Sequence, residues 1–318
     1  MRALAAIDGA PSWVERPTPA PGAGEALVRV AMAGICNTDL EIARGYMRFS
    51  GVLGHELCGV VEACADARWI GRRVAGEINL GCGACELCSK RMERHCQQRT
   101  VMGILGKDGC FATHVTLPIA NLHALPDALP DERACFVEPT AAAFEIVEQV
   151  PLDARDRVLV VGDGKLALLI AQVIATTGAQ LTLVGKHAEK IAIARLLGIE
   201  VAERDSLPRK SFDVVIEATG SPSGMQEAIG WVKPRGKIVL KSTYHGPLTL
   251  DAAPLVIDEL TLIGSRCGPF EPAIAALATG AVRTEPLISA IVPWSDAIEG
   301  FARASAQGTL KVLLDMRG

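Results

Sequence analysis

Apolar and polar positions follow two different patterns in the two parts of the chain. Up to about residue 140, short apolar runs such as 26–30 and 59–63 lie between Gly and Pro turns, which predicts strands of an irregular, mostly antiparallel domain. Helical periodicity first appears from about Thr140 to Gln149. From residue 157 onward, continuous apolar runs alternate with helical patterns, and the chain therefore changes fold class near this point.

The second part of the chain predicts alternating strands and helices. The strand candidates are residues 158–161, 181–184, 213–216, 237–240 and 260–263, with a further short candidate near Glu200. The helix candidates between them are residues 166–176 and 188–197. The continuous apolar run at 158–161 and the alternation of strands with helices predict a parallel, doubly wound sheet. Beyond it we expect a strand at 287–291, a helix with Ser295 as its N-cap, and a last apolar run at 311–314.

Composition narrows the class of protein. The 318 residues are 49% hydrophobic and 21% charged, which suits two folded domains. The net charge is −4 without any run of like charges, so a nucleic-acid-binding surface is not expected. Asp8 and Gly9 interrupt the first apolar stretch, which excludes a signal peptide or membrane span there and predicts a cytoplasmic protein. Ten cysteines in that compartment indicate metal ligands and buried thiols instead of disulfides.

Four cysteines have the spacing of a metal site. Cys82, Cys85, Cys88 and Cys96 lie within fifteen positions, and four thiolates form a closed structural zinc site. The alternatives are four unrelated buried thiols, or a redox pair, which would normally open a helix after a strand. His95 is a further possible ligand beside Cys96, but four cysteines already complete a tetrahedron.

A second set of metal-ligand types is scattered along the first part. Cys36 follows Gly-Ile, His55 lies within Gly-His-Glu, and Glu138 precedes a proline. Three protein ligands and one open position would make a catalytic zinc site. Each residue alone is a weak signal, because single His and Glu residues usually serve structure.

A glycine-rich loop follows the first apolar strand of the second part. Gly162 and Gly164 precede Lys165, Leu166 and Ala167 in a GxGxxA pattern. Gly162 permits a tight turn, Gly164 allows close approach of a pyrophosphate, and the helix N-terminus favours its charge. Between a buried strand and an apolar helix, this pattern predicts a dinucleotide site.

The end of the next strand bears on the coenzyme. An acidic residue there would bind the ribose 2′-hydroxyl of NAD, but this chain has Gly185. Lys186 and His187 follow and would suit a 2′-phosphate, so NADP is favoured over NAD. The alternative is that both are a solvated helix start and that NAD is held less tightly.

Further candidates follow two later strands. Ala218 and Thr219 come after the strand at 213–216, and Lys241 and Ser242 come after that at 237–240. Ligands bind at the carboxyl ends of parallel strands. We therefore expect these four residues to flank the nicotinamide half of the coenzyme.

Taken together, these motifs resemble the zinc-containing medium-chain alcohol dehydrogenase family, and in particular its sorbitol, threonine and glucose dehydrogenase branch. The segments 34–39 (GICNTD) and 54–56 (GHE), the spaced cysteines, Glu138-Pro139 and the glycine loop occur in the order of that family. The resemblance covers essentially the whole chain. It implies a GroES-like, mostly-β catalytic domain at 1–140 and 267–318, and a Rossmann domain at 141–266.

The resemblance also implies roles for the scattered residues. Cys36 and His55 match the first two catalytic zinc ligands, and Glu138 matches the third, bound directly or through water. Glu56 matches a glutamate that can approach the metal. Thr38 matches the hydroxyl of the proton relay, and Asp39 matches the carboxylate that orients the histidine. Glu41 stands where many members have the relay histidine, so the relay would use Glu41, a ribose hydroxyl or water.

The activity implied is reversible hydride transfer between an alcohol or carbonyl substrate and NAD(P), with two zinc ions per chain. Glu138 tilts the substrate towards polyols or sugars by family analogy. A homodimer or homotetramer is expected. Two alternatives stay open: a zinc-independent NADPH-dependent quinone or enone reductase of the same fold, and a non-catalytic zinc-binding module. A single bound metal would favour the first, and failure to bind any nicotinamide nucleotide would favour the second.

Overall fold

The computed structural model describes residues 1–243 and 248–317. The strands are β1 (Arg2–Ile7), β2 (Ala10–Glu15), β3 (Glu25–Ile35), β4 (Glu56–Cys64), β5 (Arg73–Gly76), β6 (Asn79–Leu80), β7 (Thr100–Met102), β8 (Gly106–Lys107), β9 (His114–Pro118), β10 (Leu122–Ala124), β11 (Arg157–Val161), β12 (Gln180–Val184), β13 (Phe212–Glu217), β14 (Val232–Leu240), β15 (Thr261–Gly264), β16 (Ile288–Pro293) and β17 (Lys311–Asp315). The helices are α1 (Asn37–Ala43), α2 (Glu86–Ser89), α3 (Asp131–Ala134), α4 (Val137–Gln149), α5 (Lys165–Ala175), α6 (Ala188–Leu196), α7 (Pro222–Trp231), α8 (Ala253–Ile257), α9 (Phe270–Thr279) and α10 (Ala297–Ala304). No helix in the described part of the chain is long and apolar enough to cross a membrane.

The described residues form two compact units. The first contains residues 1–138, 273–278 and 288–318, and the second contains 139–272 and 279–287. Residues 267–272 and 279–287, which the sequence assigned to the catalytic domain, therefore group with the second unit. One cause is visible in α5, where the Gln172 side chain bonds to both the backbone N–H and the carbonyl of Arg283. The assignment of the two units as a catalytic domain and a coenzyme-binding domain stays a prediction.

The first unit is built around a sheet with the order β10-β5-β4-β3-β17-β16, and β9 also pairs with β3. Its pairs are antiparallel except for β16 with β17, which agrees with the predicted mostly-β domain. β3 is the central strand, and its inward-facing residues from Val30 to Ile35 are buried. Near the end of β3, Gly34 pairs with Glu56 of β4 on one side and with Leu313 of β17 on the other.

The second unit contains a fully parallel sheet with the order β12-β11-β13-β14-β15. The predicted doubly wound fold is thus confirmed. Residues 158–161 of β11 are fully buried, as expected of a strand covered on both faces. Near Glu200 the prediction is wrong, because Val201 makes only an isolated bridge to Leu183.

The predicted start of the last helix is wrong. Trp294–Asp296 form a 3₁₀ turn, and α10 begins only at Ala297 with Asp296 as its N-cap. Ser295 donates its hydroxyl to the Asp296 carboxylate and caps no helix. Trp294 is buried against Trp13, with ring centroids 4.7 Å apart, and burial of this ring accounts for the extra turn. The strand expected at 287–291 begins at Ile288, after a 3₁₀ turn at Glu285–Leu287.

Candidate active site and metal centres

The four spaced cysteines converge in a small lobe of the first unit. Their sulfur atoms all lie within 4.8 Å of one another, with Cys85 Sγ 3.6 Å from Cys88 Sγ and 3.7 Å from Cys96 Sγ. Cys82 Sγ lies 4.0 Å from Cys88 Sγ. A tetrahedron with Zn–S arms of about 2.3 Å has edges of about 3.8 Å, so these separations fit a metal-centred cluster.

Local backbone geometry makes this cluster possible. Gly83 has φ +71°, which favours glycine, and a Cβ on Gly81 would lie 2.8 Å from Cys88 Sγ. Backbone N–H groups of Ala84 and Cys85 lower the pKa of Cys82 to about 6, so one thiolate forms readily. His95 is exposed on a 3₁₀ turn and is not a member of the cluster.

A second cluster forms where β3 meets α1 and where β4 begins. Cys36 is the N-cap of α1, and Cys36 Sγ, a ring nitrogen of His55 and a carboxylate oxygen of Glu56 lie within 4.8 Å of one another. His55 and Glu56 are almost fully buried. Thiolate, imidazole and carboxylate are the ligand types that zinc accepts.

Asp39 organises this cluster from the first turn of α1. Its buried carboxylate accepts hydrogen bonds from the Cys36 backbone N–H at 2.8 Å and from the Gly54 backbone N–H at 3.2 Å. It also pairs with His55 Nδ1 at 3.1 Å, which leaves Nε2 of the ring for a metal. Burial lowers the pKa of His55, but the charge and hydrogen bond of Asp39 together with those of Cys36 outweigh this effect, and the pKa is raised well above its usual value.

Glu138 lies in the first turn of α4 and belongs to the electrostatic surroundings of this cluster. Burial raises the pKa of Glu138 to about 7; the charge of His55 opposes the rise, and that of Glu56 adds to it. Glu56, not Glu138, supplies the carboxylate oxygen within 4.8 Å of the thiol and imidazole. The structure therefore places two carboxylates near the cluster where the sequence analysis chose one as ligand.

The two proposed relay residues lie on α1. Thr38 Oγ1 is 3.8 Å from Cys36 Sγ, and its residue is partly exposed. Glu41 is half-exposed and forms an ion pair with Arg44 at 2.9 Å. Thr38 thus lies beside the cluster, whereas Glu41 is engaged with a neighbouring cation.

The glycine loop in the second unit has the geometry of a dinucleotide turn. Gly162 has φ +129°, and a Cβ on it would lie 2.5 Å from the Ala218 carbonyl oxygen. Gly164 is the N-cap of α5, and a Cβ there would meet no described atom within 4 Å. Lys165 and Leu166 open the helix, so their backbone N–H groups lie in its first turn. Such a turn is open to an anion.

The candidates after β13 and β14 are held by hydrogen bonds. The Thr219 hydroxyl donates to Glu217 Oε1 at 2.6 Å, and the Ser242 hydroxyl accepts the Gly220 backbone N–H at 2.8 Å. Lys241 is buried and donates to the Ser265 hydroxyl at 3.1 Å. The Ala218 backbone N–H bonds to Val161, so the four residues lie at the carboxyl edge of the sheet.

Asp163, in the glycine loop after β11, contacts the end of β12 and was not among the predicted site residues. The Asp163 carboxylate accepts the backbone N–H groups of Lys186 and His187 at 2.6 and 2.8 Å, and it pairs with His187 Nδ1 at 2.9 Å. A Cβ on Gly185 would lie 2.7 Å from Asp163 Oδ2, so this carboxylate fills the space where a larger strand-end residue would begin. The signal in the sequence was an acidic residue between the two loop glycines.

Two family models match the chain. The Alcohol dehydrogenase GroES-like domain matches residues 22–127, and Zinc-binding dehydrogenase matches residues 166–279. An L-threonine 3-dehydrogenase of Streptomyces avermitilis is 31% identical over 99% of both chains. The chain belongs to the zinc-containing medium-chain alcohol dehydrogenase family. It is an NAD(P)-dependent oxidoreductase of the alcohol dehydrogenase type.

Further relatives and solved structures support this dehydrogenase assignment. An L-galactonate-5-dehydrogenase of Escherichia coli K12 is 27% identical, and the match covers 92% of this chain and 91% of the relative. A structure described as a short chain alcohol dehydrogenase (rspB) of E. coli CFT073, complexed with NADH, has a TM-score of 0.91 at 27% identity and 99% coverage of both chains. A provisionally named zinc-binding dehydrogenase of Sinorhizobium meliloti 1021, bound to NADP, has a TM-score of 0.90 at 26% identity and 99% coverage of both chains. The two neighbours thus hold different coenzymes.

Proposed function

We propose that this dehydrogenase interconverts a secondary alcohol and a ketone on a polyol, sugar or sugar-acid substrate, with a catalytic zinc held by Cys36, His55 and Glu138. The observation that carries the proposal is the convergence of Cys36 Sγ, the His55 ring and a Glu56 carboxylate oxygen within 4.8 Å, with the buried Glu138 carboxyl group in their electrostatic surroundings. Relatives named for threonine and galactonate support a hydroxylated substrate. The four-cysteine lobe would hold the second zinc, as a structural ion.

The residues of the second cluster fit a zinc ion. Glu56 Oε1 is buried and has no hydrogen-bond partner among the described residues. Glu138 is a carboxyl group whose pKa is raised to about 7 by burial, and a nearby metal cation would relieve the cost of its charge. Glu138 would bind the ion directly or through water.

The chemistry that zinc supplies when bound is Lewis-acid catalysis, which lowers the pKa of an alcohol and polarises a carbonyl. Asp39 holds the His55 ring in one orientation, and Thr38 offers a hydroxyl beside Cys36 that can accept the substrate proton. The open turn at Gly164 would hold the coenzyme pyrophosphate, and the coenzyme would supply the hydride chemistry.

NADP is the coenzyme that we favour. Gly185 supplies no acid to bind a ribose 2′-hydroxyl, and Lys186 is exposed beside it. Asp163 supplies a carboxylate close to this point, but its oxygens are engaged by the backbone of residues 186 and 187 and by the His187 ring. A 2′-phosphate would therefore meet a lysine and a carboxylate that is already paired.

The test combines metal content with a coenzyme screen. We expect two zinc ions per chain and reduction of NADP, more than of NAD, with polyols, sugars or sugar acids. Cys36→Ser should lose one zinc and nearly all activity, whereas Cys64→Ser, a thiol outside both clusters, should retain both. A Cys36→Ser variant with full activity would refute the catalytic assignment.

We further propose a homodimer that pairs through β15. This strand is the edge of the parallel sheet, and Leu262 in it is 46% exposed. Nearby in sequence, Val256 and Ile257 of α8 are 78% and 77% exposed. Large apolar side chains this exposed, next to an open sheet edge, are unusual in a monomeric protein. Leu262→Lys should reduce the mass measured by light scattering to that of a monomer. A tetrameric mass for the wild-type protein would indicate a second interface. A cytoplasmic location stays a prediction, which cell fractionation tests.

A further inference from the structure

Asp163 brings a carboxylate from the glycine loop to the end of β12. Its Oδ2 accepts the backbone N–H groups of Lys186 and His187 at 2.6 and 2.8 Å, and its Oδ1 pairs with His187 Nδ1 at 2.9 Å. The Asp163 side chain is only 8% exposed. Burial raises its pKa, but hydrogen bonds from His187 and from the Lys186 backbone outweigh this effect and lower the pKa, so the group is a carboxylate at neutral pH.

The carboxylate can lie there because a glycine follows β12. A Cβ on Gly185 would lie 2.7 Å from Asp163 Oδ2 and 2.8 Å from Asp163 Cβ, which is closer than unbonded atoms pack. An acidic side chain at position 185 and Asp163 in its present position therefore exclude each other. The acid that the strand end lacks in the sequence is thus supplied in space by the residue between the two loop glycines.

One oxygen of this carboxylate has room for a further hydrogen bond. Oδ2 already accepts two backbone N–H groups, whereas Oδ1 accepts one bond, from the His187 ring. A carboxylate oxygen has two lone pairs, so Oδ1 can accept one more donor. In a dinucleotide-binding fold, the acid at the end of the second strand accepts a ribose hydroxyl of NAD. Asp163 Oδ1 therefore offers the acceptor that a ribose hydroxyl needs.

The same carboxylate opposes a 2′-phosphate. It carries a charge of the same sign, and it occupies the backbone N–H groups of residues 186 and 187, which would otherwise be free to bind a phosphate oxygen. Lys186, which is exposed beside it, attracts a phosphate. The two side chains therefore act in opposite directions on the choice between NAD and NADP.

We propose that Asp163 is a specificity-determining residue that binds the ribose 2′-hydroxyl of NAD from the glycine loop and limits the preference for NADP, so that the enzyme uses both coenzymes. The inference rests on the proposed coenzyme site of the second unit and is independent of the alcohol substrate. It assigns the discrimination to a side chain of the loop between β11 and α5, while Gly185 makes room for that side chain.

The probes for the experiment are 5′-AMP and 2′,5′-ADP, which differ only in the 2′-phosphate and lack the nicotinamide ring. Calorimetry on the full-length protein at neutral pH gives the ratio of their dissociation constants, that of 5′-AMP over that of 2′,5′-ADP. Asp163→Asn keeps the shape and removes the charge, so we expect this ratio to rise about tenfold or more, the effect of one hydrogen bond to a charged group. Asp205→Asn, at an exposed carboxylate of the same unit, is the matched control and should leave the ratio unchanged.

A relocated acid separates ribose recognition from a merely structural role. Asp163→Ala should raise the ratio, and Asp163→Ala/Gly185→Asp, which returns a carboxylate to the strand end, should bring it back to within a few-fold of the wild type. An unchanged ratio in Asp163→Asn, a ratio that falls because 2′,5′-ADP binding is lost, or a double variant that behaves as Asp163→Ala does would each overturn the inference. A wild-type protein that binds neither probe nor NADPH would instead refute the proposed coenzyme site, and the inference with it.

Discussion

Asp39→Asn is the sharpest test of how the proposed catalytic cluster is assembled. Asp39 is fully buried, and its carboxylate serves the Cys36 backbone, the Gly54 backbone and His55 Nδ1 at distances of 2.8 to 3.2 Å. An asparagine has the same shape but only one acceptor oxygen. Its amide group would turn an N–H towards at least one of these donors.

The magnitude follows from that loss. One hydrogen bond to a charged group contributes about 1.5–3 kcal/mol, and the stranded N–H adds to the cost, so we expect about 2–4 kcal/mol of lost stability. With a urea dependence of about 1–3 kcal/mol per molar, the midpoint of unfolding should fall by about 1 M or more. Because the His55 ring loses its fixed orientation, zinc affinity and kcat/KM should each fall about 10- to 100-fold.

Urea unfolding, monitored by tryptophan fluorescence, measures the loss of stability. Competition with a chelator measures the loss of zinc affinity. Asp108→Asn is the matched control, because Asp108 accepts a single backbone N–H, from Val52 at 2.8 Å, which a carboxamide oxygen can keep. Should Asp39→Asn match Asp108→Asn in both midpoint and zinc retention, Asp39 would not organise the metal ligands.

Three further changes test other parts of the structure. Cys88→Ser should release one of two zinc ions, measured by metal analysis, and lower Tm by several degrees, because a closed four-thiolate site stabilises its lobe. Burial raises the pKa of Asp163, but hydrogen bonds from His187 and from the Lys186 backbone outweigh this effect and lower the pKa below 3.8. The stability that the carboxylate contributes is therefore present above pH 4, and the stability gap to Asp163→Asn in urea should close as the pH falls below about 4. Gly54→Ala combines φ +95° with a Cβ 2.4 Å from the Phe111 ring, so the free energy of unfolding in urea should fall by about 2–4 kcal/mol.

Each of these has a control in the same chain. Cys135→Ser, a buried thiol outside both clusters, should keep two zinc ions. Asp205→Asn, at an exposed carboxylate, is the control for Asp163, and an equal pH-dependent gap there would contradict the role of Asp163. Gly24 has φ +79°, but a Cβ on it would meet nothing within 4 Å, so Gly24→Ala should lower the free energy of unfolding only by the backbone strain. A decrease equal to that of Gly54→Ala would argue against the ring contact.

Local patterns predicted much of this fold and little of its long-range chemistry. The parallel sheet could be predicted because its first strand, residues 158–161 of β11, is a continuous apolar run that is fully buried, and because helical patterns follow its strands. β3 was predicted only in part, since register shifts near Leu27 and Val30 break its alternation over eleven residues. The helix start predicted at Ser295 was wrong because burial of Trp294, a tertiary effect, outweighed the capping signal.

In the candidate site, too, the local features were predicted and the long-range contacts were not. The spacing of the four cysteines is local and indicated a cluster directly. Lys311 and Glu56 form a buried ion pair, but they are 255 positions apart, and no periodicity connects them. A lysine at the start of an apolar strand was the available signal, because a buried cation requires a partner. Asp163 was not predicted because the GxGxxA pattern around it concerns the backbone of its glycines and says nothing about the side chain between them.

The place of β17 in the sheet has a consequence for biosynthesis. β3 and β4 leave the ribosome early, but β17, which pairs with the open side of β3 and brings Lys311, follows some 250 residues after β4. At about 5–20 residues per second, that interval lasts roughly 12–50 s. The parallel sheet of the second unit is complete in the meantime. The nascent chain can therefore form its parallel sheet before the proposed metal centre is complete, and residues 32–35 of β3, which pair with β17, form an unpaired edge until the last strand is synthesised.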